Sequence, residues 1–150
     1  MENIPPLTFF EACVKGDIAI VRQFIDEGHY PIDIKNENNW TGLIMACFNE
    51  QEQVVKLLLA NGANINATNH KGTTVFMYAK TPVQQKQTQV GLLTYLLEQG
   101  ADINAKDRKG LTVLDYVVHN GYTVLADWMR SQGAKTSEYQ QNDDGVPIKN

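Results

Sequence analysis

Two thiols and three imidazoles are the first side chains to question for redox, metal or nucleophilic chemistry in this chain of 150 residues. Cys13 and Cys47 are too few to be a disulfide framework. His29, His70 and His119 lie far apart, and none has a second His, Cys or carboxylate at the spacing a metal site needs. Asp107 reads as a turn residue and Asp115 as a polar residue on a helix face. Neither belongs to a nucleophile–base pair that could be positioned for catalysis. Gly110 and its neighbours form neither a Gly-x-x-x-x-Gly-Lys-Ser/Thr nor a Gly-x-Gly-x-x-Gly phosphate loop, and turn formation accounts for those glycines. The residue types therefore predict no enzyme, no cofactor, no metal and no small-molecule substrate.

What they do predict is repetition. The run Val54-Val55-Lys56-Leu57-Leu58-Leu59-Ala60-Asn61-Gly62-Ala63-Asn64-Ile65-Asn66-Ala67 is an apolar helical stretch stopped by glycine, with a polar exit. It returns as Leu92-Leu93-Thr94-Tyr95-Leu96-Leu97-Glu98-Gln99-Gly100-Ala101-Asp102-Ile103-Asn104-Ala105. The closing glycines Gly28, Gly62, Gly100 and Gly133 are 34, 38 and 33 residues apart. A period of that size signals stacked units rather than one folded sheet or bundle.

Each unit reads as helix, turn, helix, exit. The first runs from about 5 to 35, with helices after Pro5-Pro6 and at Ile18 to Glu27, where Ile20, Val21, Phe24 and Ile25 share a face. The second covers about 36–68, with helices at Gly42 to Asn49 and Glu52 to Asn61. The third covers about 69–106 and carries five extra residues between its helices, in Thr81 to Thr88. Pro82 is expected to end its first helix, leaving the insertion in solvent, clear of the stacking core. The fourth, about 107–133, has helices at Val113 to His119 and Thr123 to Gln132. Its Arg130 stands where Leu59 and Leu97 stand earlier, as the outer face of a terminal unit requires. Residues 134–150 are polar and read as a tail, extended against the last helix or disordered. Asn36, Asn69 and Asp107 open turns that close on Asn39, Gly72 and Gly110. Thr41, Thr74 and Thr112 follow two residues later, where a hydroxyl caps a helix.

Composition sets outer bounds. Hydrophobic content of 43% and charged content of 20% are ordinary for a soluble globular chain. A net charge of −4 makes nucleic acid an unfavoured partner. No run approaches the roughly 18 apolar residues of a membrane span, and the first residues lack a secretory pattern. A cytoplasmic location and a monomer are the expectations.

The Asp/Asn-x-x-Gly-x-Thr starts at Asn69 and Asp107, with the Val54–Ala67 run and its echo, resemble the ankyrin repeat family over about residues 7–133. The resemblance implies an all-α solenoid: four helix-turn-helix units joined by short β-hairpin-like loops, one domain over 1–133. The family's Thr-Pro-Leu-His is Thr41-Gly42-Leu43-Ile44, Thr74-Val75-Phe76-Met77 and Thr112-Val113-Leu114-Asp115 here. The absent Pro and His imply that the Thr–His bonds between repeats are missing or replaced, with lower stability. By the same resemblance Cys13 and Cys47 occupy one station in adjacent repeats. Packed helices lie about 8–10 Å apart and disulfide Cα atoms within about 7 Å, so both are expected as small buried residues.

The family's members are overwhelmingly protein-binding scaffolds that work through a concave surface of hairpin tips and first helices. Carried onto this sequence, that surface includes Trp40, Met45, Phe48, Lys71, Tyr78, Arg108, Lys109, Leu111 and Tyr116. Trp, Tyr and Arg dominate binding energy at interfaces, and Trp40 is expected to stand exposed at a tip. The cations at Lys71, Lys106, Arg108 and Lys109 imply an acidic patch on the partner. Two functions are implied: a non-enzymatic protein-interaction module, or a regulator that inhibits or protects a specific enzyme by binding it.

Overall fold

The computed structural model describes residues 3–87 and 89–137. Eight helices lie among them: α1 (Pro6–Lys15), α2 (Ile18–Glu27), α3 (Gly42–Phe48), α4 (Glu52–Ala60), α5 (Val75–Lys86), α6 (Gly91–Glu98), α7 (Val113–His119) and α8 (Thr123–Ser131). They pair as α1/α2, α3/α4, α5/α6 and α7/α8. The first helices α1, α3, α5 and α7 stack in one layer, with α2 on α4 in a second. The predicted all-α repeat solenoid is the fold.

Local chemistry fixes where each unit starts. Asn36 Oδ1 accepts the N–H groups of Asn38 and Trp40, Asn69 Oδ1 those of Lys71 and Thr73, and Asp107 Oδ1 those of Lys109 and Leu111, all at 2.9–3.1 Å. Each tip closes through a left-handed residue: Asn39 (φ 62°), Gly72 (φ 76°) and Gly110 (φ 78°). Asn is the non-glycine that tolerates this region best. Two residues on, the hydroxyls of Thr41, Thr74 and Thr112 accept from Ile44, Met77 and Asp115 N–H. Each such cap contributes about 0.5–2 kcal/mol. Single antiparallel bridges, Lys35 to Thr41 and Thr68 to Thr74, close two of the hairpins.

The core is continuous through the stack. Phe9, Phe24, Leu43, Ile44, Leu58, Phe76, Leu93, Leu96, Leu114 and Met129 are essentially inaccessible. Phe9 also explains one departure from the family pattern. A Cβ built on Gly42 would lie 2.7 Å from Phe9 Cζ and 2.9 Å from Cys13 Sγ. The Phe9 ring therefore fills the space a proline side chain would need.

Asp and Asn residues of the exits tie the repeats together. Asp33 accepts Asn64 N–H at 3.1 Å. Asn66 donates to Gly100 O and accepts Asp102 N–H, and Asn104 donates to Gly133 O and accepts Lys135 N–H. The caps of α3 and α5 are local, so these amides carry bonds between repeats where the family's His is absent.

Two expectations are corrected. Pro82 does not end the first helix of the third unit: α5 has 12 residues where α3 and α7 have 7 each. The difference, 12 − 7 = 5, equals the whole insertion. A mid-helix proline forfeits one hydrogen bond at about 3 kcal/mol, and here Pro82 and Val83 are buried, which offsets it. The inserted segment consequently does touch the core, through Val83. The helix stops instead at Gln87, in the left-handed region at φ 52°. Beyond the last helix the first residues of the tail pack on the fourth unit: Ala134 and Thr136 are buried, Thr112 Oγ1 donates to Lys135 O at 2.8 Å, and Asp115 accepts Ser137 N–H. Residues 138–150 lie outside the described residues.

Candidate interaction surface

The tip turns and capped first helices fix the direction of a recurring pair of side chains. In the third and fourth units the residue that opens the turn and the one nine positions later face each other. In the third unit Asn69 Nδ2 donates to the Tyr78 hydroxyl at 2.8 Å. In the fourth, the Tyr116 hydroxyl donates to Asp107 Oδ2. Burial raises the Tyr78 phenol above its ordinary range, opposed by the Asn69 bond. Burial, and then the Asp107 carboxylate, push Tyr116 up to about 12. Both phenols therefore stay protonated near neutrality.

The second unit has Met45 at this station. With no polar tip to hold at the turn, Met45 lies down in the core at 4% exposure. It is not available to a partner, which corrects the expectation for that residue. Trp40 is half-buried rather than exposed. Its ring lies 4.7 Å from Tyr78 and 5.7 Å from Phe48, and Phe48 meets Tyr78 edge-on at 5.9 Å. Trp40, Phe48 and Tyr78 thus form one aromatic cluster across two repeats, with the Phe48 side retaining substantial exposure.

Beside this cluster is a groove of about 460 Å³. It is lined by Trp40, Asn69, Met77, Tyr78, Lys80 and Tyr116 together with Asn38, His70, Lys71, Thr73, Thr81 and Asp107, of which Asn69, Met77 and Lys80 are the most buried. Of the residues named from sequence, Trp40, Lys71, Tyr78 and Tyr116 meet here. Arg108 and Lys109 are exposed on the next tip, joined to it by Arg108 N–H donating to Lys71 O at 3.0 Å. Leu111 is half-buried and outside the groove lining.

Sequence reasoning missed Lys80. It is only 7% exposed, and its ammonium lies 5.6 Å from the centre of the Tyr116 ring. Burial holds its pKa below the ordinary lysine range. A signal existed: Lys80 follows Cys47 by the same 33 residues that separate Thr41 from Thr74. The two preceding repeats hold buried thiols at this station, so a lysine there is anomalous. Those thiols are unpaired, and burial pushes Cys13 up to about 12 and Cys47 in the same direction.

A second groove, of about 580 Å³, opens at the other end of the helices, where the lengthened α5 meets α8. Val83, Gln84, Val90, Tyr122, Leu125 and Trp128 line it. Among the described residues no helix is long and apolar enough to cross a membrane, and no group of three or more His, Cys, Asp or Glu could hold a metal.

Known proteins converge on the same repeat. A model described as ankyrin repeats (3 copies) matches residues 9–107, and one described as ankyrin repeats (many copies) matches residues 86–130. A palmitoyltransferase, AKR1, of Naumovozyma castellii is 37% identical over 59 residues, covering 39% of this chain and 8% of that protein. BTB/POZ domain-containing protein 3 of Schizosaccharomyces pombe is 35% identical over 57 residues, covering 38% of this chain and 11% of that protein. The chain thus spans about a tenth of the length of these relatives. With capped helix pairs, hairpin tips and a model match across more than half its length, this chain belongs to the ankyrin repeat family, whose repeats are generally protein–protein interaction modules.

Proposed function

We propose that this chain is a non-enzymatic module that binds a protein partner on the concave face formed by the tips and first helices. The partner's apolar side chains pack on Trp40, Phe48 and Tyr78, while Lys71, Arg108 and Lys109 face acidic groups. The aromatic cluster carries this reading: three large rings gathered across a repeat boundary, with Phe48 exposed at its edge. The tips are held by paired side-chain bonds, so the surface is preformed and little ordering cost attends binding. The reading takes the protein as a monomer in the cytoplasm, a setting that suits two unpaired thiols.

The test is an affinity capture from native extract with the full chain as bait, followed by titration of the captured protein. Trp40→Ala is expected to weaken binding by about 2 kcal/mol or more, the scale of an interface hot spot, with folding near normal by circular dichroism. Equal affinity for wild type and Trp40→Ala would remove Trp40 from the site.

A further inference from the structure

Lys80 is the only charged side chain among the described residues that is less than a tenth exposed. None of the ion pairs among those residues involves it: they join Lys15 to Glu11, Lys86 to Glu50 and Arg130 to Asp127. Its one electrostatic contact is the face of Tyr116. A largely buried ammonium without a carboxylate is costly, and the same station in the two preceding repeats holds Cys13 and Cys47 instead.

The one carboxylate in the groove is already committed. Asp107 gives Oδ2 to the Tyr116 hydroxyl and Oδ1 to the N–H groups of Lys109 and Leu111. The neighbouring polar groups are engaged too: Asn69 Nδ2 at the Tyr78 hydroxyl and the Thr81 hydroxyl at Met77 O. Lys80, buried in the lining, and Lys71, exposed beside it, remain as cations without anions.

We propose that this groove seats an acidic side chain of the protein partner, a Glu or Asp whose carboxylate pairs with Lys80 Nζ while its apolar neighbours pack on Trp40 and Tyr78. The inference rests on the reading of this face as the binding surface and adds the chemistry of what enters it. A carboxylate arriving there receives a charge-assisted bond from a largely buried lysine, and such bonds are about twice as strong as neutral ones. The lowered lysine pKa agrees with an ammonium that lacks its counter-charge.

The test uses the full chain and a displayed library of random peptides. Selection on wild type is expected to enrich peptides sharing one Glu or Asp next to an apolar residue. A synthetic peptide from that set is expected to lose about tenfold or more in affinity on Lys80→Met, the scale of a charged hydrogen bond. Changing its Glu to Gln is expected to cost as much, and the two changes together no more than either alone. Lys80→Met keeps the apolar stem, so its thermal midpoint is expected to hold or rise. No acidic preference in the selected peptides, or equal affinity for wild type and Lys80→Met, would overturn the pairing. A lowered midpoint would do so as well, by making Lys80 a structural residue. Trp40→Ala separates the two levels. Peptides that lose affinity on Trp40→Ala but not on Lys80→Met leave the face standing and overturn the carboxylate. Peptides indifferent to both overturn the face and the carboxylate together.

Discussion

Cys47 and Lys80 occupy one station in adjacent repeats, yet the boundaries around them are filled differently. Toward the N-terminus, Cys13 and Cys47 are fully buried, and Phe9 stacks on Phe24 with ring centres 4.0 Å apart. Further along, Lys80, the Tyr116 ring and the Asp107 carboxylate meet around an open groove. The capped helices and tip turns are shared. One end of the stack is thus sealed with apolar groups, whereas the other keeps polar groups where a partner can reach them. A common backbone plan does not impose a common filling.

The largest test of that contrast transplants the lysine. Cys47→Lys places an ammonium at a position with no measurable exposure. The expected loss is on the order of 5 kcal/mol in urea denaturation, since neither water nor a carboxylate compensates the charge. A loss below about 1 kcal/mol would mean that the two boundaries are equally open. Gly42→Ala probes the sealed end by overfilling it. The new methyl group would meet Phe9 and Cys13 within 3 Å, and about 1–3 kcal/mol of destabilisation is expected. A neutral result would show that Phe9 can give way, and that the missing proline has another cause.

The smallest test is alkaline pH. Burial raises the Cys13 thiol from 9.0 to about 12 and Cys47 in the same direction. The folded chain therefore keeps protons that the unfolded chain releases, and stability falls as pH rises past 9. Each thiol removes about 1 kcal/mol between pH 9 and about pH 10. Lys80 has the opposite sign. Its pKa is lowered from 10.5 by burial, so its destabilisation is present when it must be charged and fades as pH rises toward its unfolded value. Denaturation midpoints across this range are expected to fall more steeply for Lys80→Met than for wild type. They are expected to flatten or reverse in the Cys13→Ala/Cys47→Ala chain. Equal slopes in all three would place these groups in ordinary solvent.

Where a rule was local, the sequence was enough. The period, the Thr caps, the Asn39 turn and the helix pairs each follow from residues within a few positions of one another. Where packing decides, the sequence was silent or misleading. Pro82 reads as a stop because it breaks a backbone bond, and burial of Pro82 and Val83 against the stack overrides that. Met45 reads as a surface residue by analogy with Tyr78 and Tyr116, but only the tyrosines carry a hydroxyl to hold at Asn69 and Asp107. Lys80 reads as one more solvated lysine until its neighbours across the repeat boundary are in place.

The exit amides have a consequence for inheritance. Asn66 and Asn104 bind only main-chain atoms of the following loop, the carbonyls of Gly100 and Gly133 and the N–H groups of Asp102 and Lys135. Such a joint is indifferent to which side chains the next unit carries. Copies of the repeat can drift, acquire five extra residues in one helix or exchange a thiol for a lysine, and these joints still close. Loss of either amide side chain, by contrast, opens its joint whatever the neighbouring units carry.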